Sequence, residues 1–169
     1  MAATPEDLFA RLDKLGITHK THHHAPVFTV EEAQAVSREL EGGHSKNLFL
    51  KDKTGDLYLL VCLEETKVDL KSLRKKIGAK SLSFGKAELL IETLGIEPGS
   101  VTPFSLINDP SHKVRVLLDE AMMKETYLNF HPLINDKTTQ ISSVGLKKFI
   151  EDCGHEVKII DPSASEGAA

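Results

Sequence analysis

Apolar residues recur at helical spacing in several separate stretches of the chain. In PEDLFARLDKLG, Leu8, Leu12 and Leu15 fall on one face and Gly16 follows them, which predicts a short opening helix. TVEEAQAVSREL, residues 29–40, begins with a threonine and has a glutamate three residues later, so its capping-box arrangement predicts a second helix. Further helices are predicted at VDLKSLRKKIG and KAELLIETLG, each ended by a glycine suited to a left-handed C-cap, and at SSVGLKKFIEDCG.

Alternating or continuous apolar runs between these helices predict strands. ITHKTHHH alternates, whereas NLFLKD and DLYLLVCL flank the turn-forming KTGD and predict a hairpin whose second strand is buried. Other strands are predicted at SLIND, KVRVLLD, TYLNF and HEVKIID. The irregular order of helices and strands favours a single compact α+β domain with a mixed β-sheet over residues 1–160. The small polar residues of the tail, 161–169, are expected to be disordered.

Composition and charge exclude several classes of protein. The 169 residues are 40% hydrophobic and 27% charged, and no apolar run approaches the length of a membrane span, so no membrane association is expected. The acidic N-terminus fits neither a secretory signal nor a transit peptide, and we therefore expect a cytoplasmic protein. A formal net charge of -4 argues against bulk electrostatic binding, so no DNA partner is expected and an RNA must meet a local patch.

Three short motifs carry residue types that suit chemistry. Lys46 stands just before Asn47 and an apolar strand, where fixed backbone can hold its ammonium at the rim of a pocket; a surface lysine is the ordinary alternative. GSVTP, from Gly99 to Pro103, can present backbone N–H groups to an oxygen atom or can be a plain turn. His131, before a proline in NFHPLIND, can donate a hydrogen bond or shuttle a proton, or can be an ordinary half-buried histidine.

Two clusters admit a binding function. The run HHH, His22–His24, lacks the further ligands that a metal site needs, so no metal is predicted. The densest basic stretch is KSLRKKIGAK, which either meets phosphates or forms a solvated helix face. Its basic residues are Lys71, Arg74, Lys75, Lys76 and Lys80.

The order of five motifs strongly resembles the YbaK/prolyl-tRNA-synthetase-associated editing family over residues 4–160. They are HAPVFTVEEA, HSKNLFLKD, LSFGKAELL, EPGSVTPFSLIND and NFHPLINDKTT. Within that family the chain is most similar to the freestanding alanyl-tRNA(Pro) deacylases of the ProXp-ala type. The resemblance implies a YbaK-like fold, hydrolysis of the ester of a mischarged tRNA, and no metal or organic cofactor.

The resemblance also implies roles for individual residues. Lys46 and Asn47 match the family's active-site KN pair, Gly99 and Pro103 match the ends of its GxxxP loop, and His131 matches the histidine of its HP element. We expect Lys46, Asn47 and His131 to act in catalysis and the GxxxP loop to border the aminoacyl pocket. The basic stretch from Lys71 to Lys80 is expected to bind tRNA.

Other functions remain open at the level of sequence. A related deacylase acting on a tRNA that carries cysteine or serine would share these motifs, and a non-catalytic adaptor that binds tRNA or a synthetase would share the fold. The acceptor end of a mischarged tRNA is the expected partner, and prolyl-tRNA synthetase or an elongation factor is a further candidate.

Overall fold

A computed structural model describes residues 2–26, 31–32 and 42–164. Its α-helices are α1 (Pro5–Lys14), α2 (Leu70–Ile77), α3 (Ala87–Leu94) and α4 (Ser143–Asp152). Its strands are β1 (His19–His23), β2 (Gly43–Lys51), β3 (Leu57–Leu63), β4 (Ser83–Phe84), β5 (Val114–Asp119), β6 (Tyr127–Phe130), β7 (Lys137–Ser142) and β8 (Val157–Ile160). Short 3₁₀ helices span Pro98–Ser100, Pro103–Asn108 and Met122–Lys124.

Most predicted elements are confirmed, and three strands differ. SLIND is not a strand, because Pro103 begins a 3₁₀ helix there and the Thr102 side chain accepts a hydrogen bond from the Phe104 N–H. The sequence reading missed β7, whose residues are mostly polar, and the two-residue β4. The helix predicted over residues 29–40 lies outside the described residues except for Glu31 and Glu32.

Local chemistry fixes the helix ends. Thr4 and Asp7 form a reciprocal capping box at the start of α1, where the Thr4 Oγ1 accepts from the Asp7 N–H at 3.1 Å. The Asp69 side chain caps α2 by accepting from the Ser72 N–H, and Gly78 ends that helix with a left-handed φ of 71°. These contacts fix the point at which the basic helix α2 begins and ends.

In the described part of the chain, eight strands form one mixed sheet. The order across it is β1, β7, β6, β2, β3, β5, β8, and β4 adds to β2 beside this path. β2 and β3 form the predicted antiparallel hairpin, whereas β3 pairs with β5 and β5 with β8 in parallel. β3 is buried along its whole length, as expected for a central strand.

Two apolar clusters lie on opposite faces of the sheet. The larger contains α1, α3 and α4 residues such as Leu8, Leu94 and Phe149. The smaller packs Leu73 of α2 against Leu60 and Cys62 of the sheet. Helices thus surround a mixed sheet, which confirms the predicted α+β class. No helix among the described residues is long and apolar enough to cross a bilayer.

Candidate active site

The candidate site centres on the edge of β2 that faces away from β3. One edge of β2 pairs with β3 from Ser45 to Lys51. The other edge pairs with β6 only at Gly43 and His44, and with β4 only at Leu50 and Lys51. Between these two ladders, the described residues offer no strand partner to the segment 45–49, which we call the open edge.

Backbone groups of Asn47 turn toward the open edge. The His44 carbonyl accepts from the Glu64 N–H at 2.8 Å on the β3 side, and the Phe49 carbonyl accepts from the Gly85 N–H at 2.9 Å on the other side. Because peptide groups alternate between the two edges of an antiparallel strand, Asn47 shares the orientation of Phe49. Asn47 therefore presents its peptide N–H and carbonyl there, while its side-chain Oδ1, on the face of the sheet shared with its partner Val61, is buried without a hydrogen-bond partner among the described residues.

Lys46 lies inside β2 rather than at its mouth. The strand begins at Gly43, so Lys46 is its fourth residue and its backbone is fixed by pairing with Cys62. The prediction that the strand starts after Lys46 is wrong, because the ladder to β6 adds Gly43 and His44. Lys46 is half-buried and faces the side of the sheet that carries α2, since its cross-strand partner Cys62 packs there.

His131 directly follows the last residue of β6, the strand that pairs with β2 at Gly43 and His44. The parallel ladder pairs Gly43 with Leu128 and His44 with Asn129 and ends there; Lys46 and His131 each come two residues after its last pair. The ring Nδ1 lies 2.9 Å from the Lys137 carbonyl. A carbonyl only accepts, so Nδ1 carries the proton and Nε2 keeps its lone pair.

The surroundings of His131 keep its ring neutral. Burial lowers the pKa of His131 below its usual 6.5; the hydrogen bond to the Lys137 carbonyl opposes this less strongly, and the nearby His24 adds the smallest effect, a further lowering. The His24 ring centroid is 6.2 Å from that of His131. His24 is itself held by Thr138, whose Oγ1 is 2.8 Å from Nε2. At neutral pH His131 therefore accepts a hydrogen bond rather than supplying a positive charge.

The GxxxP loop is divided between a cleft and the core. Gly99 is exposed and lines a cleft of about 540 Å³. Its other lining residues come from α3, the turn after it, and the segment just after His131: Ile91, Gly95–Glu97, Pro98, Ser100 and Leu133–Asn135. A Cβ at Gly99 would lie 3.5 Å from the Asn135 Nδ2, so the two segments face each other. Pro103 is buried at the start of its 3₁₀ helix and anchors the loop.

The cleft contains one unusual backbone conformation. Leu133 has a φ of 71°, in the left-handed region that residues other than glycine rarely adopt. Such conformations persist where the surrounding structure enforces them, and they cluster at ligand sites. Leu133 follows the buried Pro132, which comes directly after His131, so the strained residue helps to shape the cleft wall beside that histidine.

The predicted tRNA-binding residues lie on and just after α2, on the same sheet face as Lys46, but they are not equivalent. Lys71, Lys75 and Lys80 are exposed, and Arg74 is partly exposed. Lys76 instead donates to the carbonyls of Asp161 and Ser163, at 2.7 and 3.2 Å. Lys76 thus ties the end of the described chain to α2.

No metal centre accompanies these residues in the part of the chain that the structure describes. Within residues 2–26, 31–32 and 42–164, no three His, Cys, Asp or Glu side chains are grouped to hold an ion. His22 lies in β1 and pairs with Thr138, while His24 bonds to Thr138 and to the Ala25 carbonyl. Sequence reasoning considered His24 only as a metal ligand and missed its contact with His131.

Comparison with known proteins decides the family. The model of the aminoacyl-tRNA editing domain matches residues 24–149. The chain belongs to the aminoacyl-tRNA editing domain family. It is 35% identical over 155 residues to the prolyl-tRNA editing protein ProX of Acetoanaerobium sticklandii, covering 91% of this chain and 94% of that one. It is also 35% identical to the mouse prolyl-tRNA synthetase associated domain-containing protein 1, with 92% and 94% covered.

A solved structure extends the editing-family comparison to the fold. A chain described as a proposed trans-editing enzyme for prolyl tRNA synthetase superposes with a TM-score of 0.71 at 19% identity, covering 98% of this chain and 99% of the other. This likeness confirms the YbaK-like fold. The family match and the relatives confirm the prediction that the chain is an aminoacyl-tRNA editing enzyme, a hydrolase.

Proposed function

We propose that this enzyme deacylates alanine mischarged onto tRNA(Pro). The proposal rests above all on one arrangement: Lys46 of β2 and the neutral His131, which directly follows β6, each come two residues after the short ladder that joins these strands, where the open edge begins. The names of the relatives support prolyl-tRNA as the substrate carrier. They also support prolyl-tRNA synthetase as a partner.

The need for such a reaction follows from the energetics of selection. A pocket built for proline cannot reject the smaller alanine by size, because missing methylene contacts discriminate by only about 1–3 kcal/mol, or roughly 10–200-fold. A second site that admits only small residues and hydrolyses the ester raises the overall fidelity. In this proposal the cleft beside Gly99, on the α3 face of the sheet, receives the aminoacyl side chain, and the ester lies in the open edge, where Lys46 approaches it from the α2 face.

In the proposed reaction, water attacks the ester carbonyl carbon. A tetrahedral oxyanion forms, the bond from that carbon to the ribose oxygen breaks, and the ribose oxygen takes up a proton to give free alanine and tRNA. The Lys46 ammonium stabilises the developing negative charge. Nε2 of His131 accepts a hydrogen bond from a terminal ribose hydroxyl and so orients the ester.

One backbone N–H of the GxxxP loop is the proposed donor that polarises the ester. The Ser100 N–H already donates to the Glu97 carbonyl at 2.9 Å, so it is committed to the turn. We assign the donor role to the Gly99 N–H, at the exposed rim of the cleft. The peptide groups of Asn47 bind polar atoms of the substrate at the open edge.

A covalent route through cysteine does not suit this chain. Burial raises the pKa of Cys62 to about 12 and that of Cys153 to about 11. Only the thiolate is nucleophilic, and its population at neutral pH is very small for both residues. Direct attack by water is therefore the proposed path.

The decisive test is hydrolysis of purified Ala-tRNA(Pro) by the Lys46→Ala variant. We expect kcat/KM to fall by about 100- to 1000-fold, the usual cost of removing one group that stabilises an oxyanion. Lys51→Ala is the matched control, because Lys51 lies on the same strand with its side chain on the opposite face and exposed. Undiminished hydrolysis by Lys46→Ala would remove Lys46 from the mechanism.

A panel of tRNAs carrying alanine, serine, cysteine and proline tests the specificity. The proposal requires the highest kcat/KM for alanine. Faster release of serine or cysteine would favour the related deacylases, and stoichiometric binding without turnover would favour an adaptor.

A further inference from the structure

Phe84 is an exposed aromatic residue beside the open edge. Its relative solvent accessibility is 64%, higher than the 51% of Tyr127, the other exposed aromatic residue in the described part of the chain. It belongs to β4 and pairs with Leu50 of β2. Exposing a phenylalanine to water is unfavourable by about 1.5–3 kcal/mol relative to burial, so a ligand that covers the ring would gain affinity.

The ring faces the same side of the sheet as Lys46. Leu50 is four residues along β2 from Lys46, so their side chains share a face, and Phe84 shares that face as the direct partner of Leu50. Four residues of strand and one strand spacing separate Lys46 from Phe84 by roughly 14 Å between backbone positions. A single strand of nucleic acid can span that distance in a few nucleotides.

Chain direction also brings β4 toward the site. β4 runs antiparallel to β2, so the residues after Phe84 move back along β2 in the direction of Lys46. The Gly85 N–H donates to the Phe49 carbonyl at 2.9 Å, and a Cβ at Gly85 would overlap the Phe49 ring. Phe84 is thereby fixed at the boundary of the open edge.

Positive charge accompanies this aromatic ring. Lys80 and Lys86, both exposed, precede and follow Phe84 in the chain. Helix α2, with its exposed Lys71 and Lys75, lies on the same face of the sheet. Proteins that hold single-stranded nucleic acid combine a positive surface along the backbone with aromatic rings on which bases stack.

We propose that Phe84 is a stacking platform for an unpaired base at the 3′ end of the tRNA. This inference rests on the proposed function, because it takes the substrate to be a tRNA whose terminal ester lies at Lys46. The ring holds a base upstream of the terminal nucleotide, and the flanking lysines neutralise the phosphates on either side. The platform thus guides the single-stranded end toward the open edge.

The test uses an uncharged RNA minihelix of the tRNA(Pro) acceptor stem, with and without its unpaired 3′ nucleotides. We expect Phe84→Ala to raise the Kd for the complete minihelix by about 5- to 150-fold, the range for loss of one stacked base. Phe84→Trp should keep the wild-type Kd within a few-fold. On the minihelix without the overhang, wild type and Phe84→Ala should bind alike.

A matched control is Ile159→Ala. Ile159 is also an exposed large apolar residue, at 48%, but it lies on β8 and its partner Leu118 belongs to the opposite face. Equal Kd values for wild type and Phe84→Ala, or an equal loss for Ile159→Ala, would overturn the proposal. So would a loss confined to the capture of prolyl-tRNA synthetase, which would make Phe84 a protein contact.

Failure of this inference can be told apart from failure of the proposed function. Binding is measured with uncharged RNA and does not depend on hydrolysis. Overhang-dependent binding through Phe84 by a protein that hydrolyses no alanyl ester would retain the platform and reject the deacylase. Full hydrolysis with no effect of Phe84→Ala on Kd or KM would reject the platform and retain the deacylase.

Discussion

Asp109 anchors the segment that carries the GxxxP loop, and its removal should be costly. Its Oδ1 accepts from the Lys113 N–H at 3.0 Å, and its Oδ2 accepts from the Val114 N–H and the His155 Nε2, both at 2.9 Å. The carboxylate and the His155 ring are each only 2% exposed. Asp109 directly follows the 3₁₀ helix Pro103–Asn108, so these bonds fix that helix against β5 and the start of β8.

The loss of stability in Asp109→Ala follows from the hydrogen-bond donors that the substitution leaves without an acceptor. The Lys113 N–H belongs to an exposed residue and can turn to water, but Val114 and His155 are buried. An unsatisfied buried donor costs about 1–3 kcal/mol, so the two together predict a loss of about 2–6 kcal/mol in the free energy of unfolding. For a domain of this size the corresponding fall in Tm is on the order of 10 °C.

Urea unfolding followed by circular dichroism measures this loss. The midpoint should fall while the slope with urea stays constant, since the surface exposed on unfolding is unchanged. Asp13→Ala is the control, because the Asp13 carboxylate is 72% exposed although it lies 2.8 Å from His19 Nε2, and such surface pairs contribute about 0–1 kcal/mol. If Asp109→Ala loses no more stability than Asp13→Ala, the account of Asp109 as a buried anchor is wrong.

Two further predictions concern the site and its frame. Because the pKa of His131 is lowered, the deacylation rate, corrected for spontaneous hydrolysis, should stay constant as pH falls to the usual histidine pKa of 6.5 and decline only below it. A rate already halved at pH 6.5 would contradict the neutral ring. His131→Gln should lack the decline in rate at low pH. Gly42→Ala should destabilise the fold by more than Gly55→Ala in thermal unfolding. The two glycines have φ values of 97° and 96°, but only at Gly42 would a Cβ contact backbone, 2.9 Å from the Tyr127 carbonyl oxygen; equal losses would show that this contact costs nothing.

Apolar periodicity predicted most elements because their side chains follow the rule of one buried face. It failed where polar groups form the interior. β7 was missed because its buried residues Thr138 and Thr139 read as polar, although Thr139 is satisfied by the Thr21 hydroxyl at 2.8 Å. Threonine is β-branched and favours strands, so this signal was present in the sequence.

The 3₁₀ helix at Pro103–Asn108 was mistaken for a strand for a related reason. The predicted strand SLIND has the adjacent apolar residues Leu106 and Ile107 among polar ones, and Leu106 is buried. The adjacent Ser105 is buried as well, with its hydroxyl donating to the Thr102 carbonyl at 2.6 Å. Burial on successive residues excludes a half-exposed strand, and only the tertiary structure reveals it.

The candidate site could be predicted only as separate motifs. A two-residue parallel ladder joins β2, which carries Lys46, to β6, which His131 follows, and local sequence gives no signal for pairing across so long a separation. Family resemblance supplied the association that periodicity could not. The contact between His24 and His131 likewise depends on β1 joining β7 at the edge of the sheet.

The open edge explains why this topology suits an ester-cleaving site. A strand inside a sheet normally pairs on both edges, and each buried peptide group left without a partner costs about 1–3 kcal/mol. β2 instead pairs on its other edge with β6 at one end and with β4 at the other. Among the described residues, the peptide N–H and carbonyl of Asn47 face the open edge between these two ladders. A polar substrate that enters the open edge can supply the missing partners. Since the same strand fixes Lys46 one residue earlier, rigid backbone would couple the proposed binding at the edge to the proposed charge stabilisation at the ester.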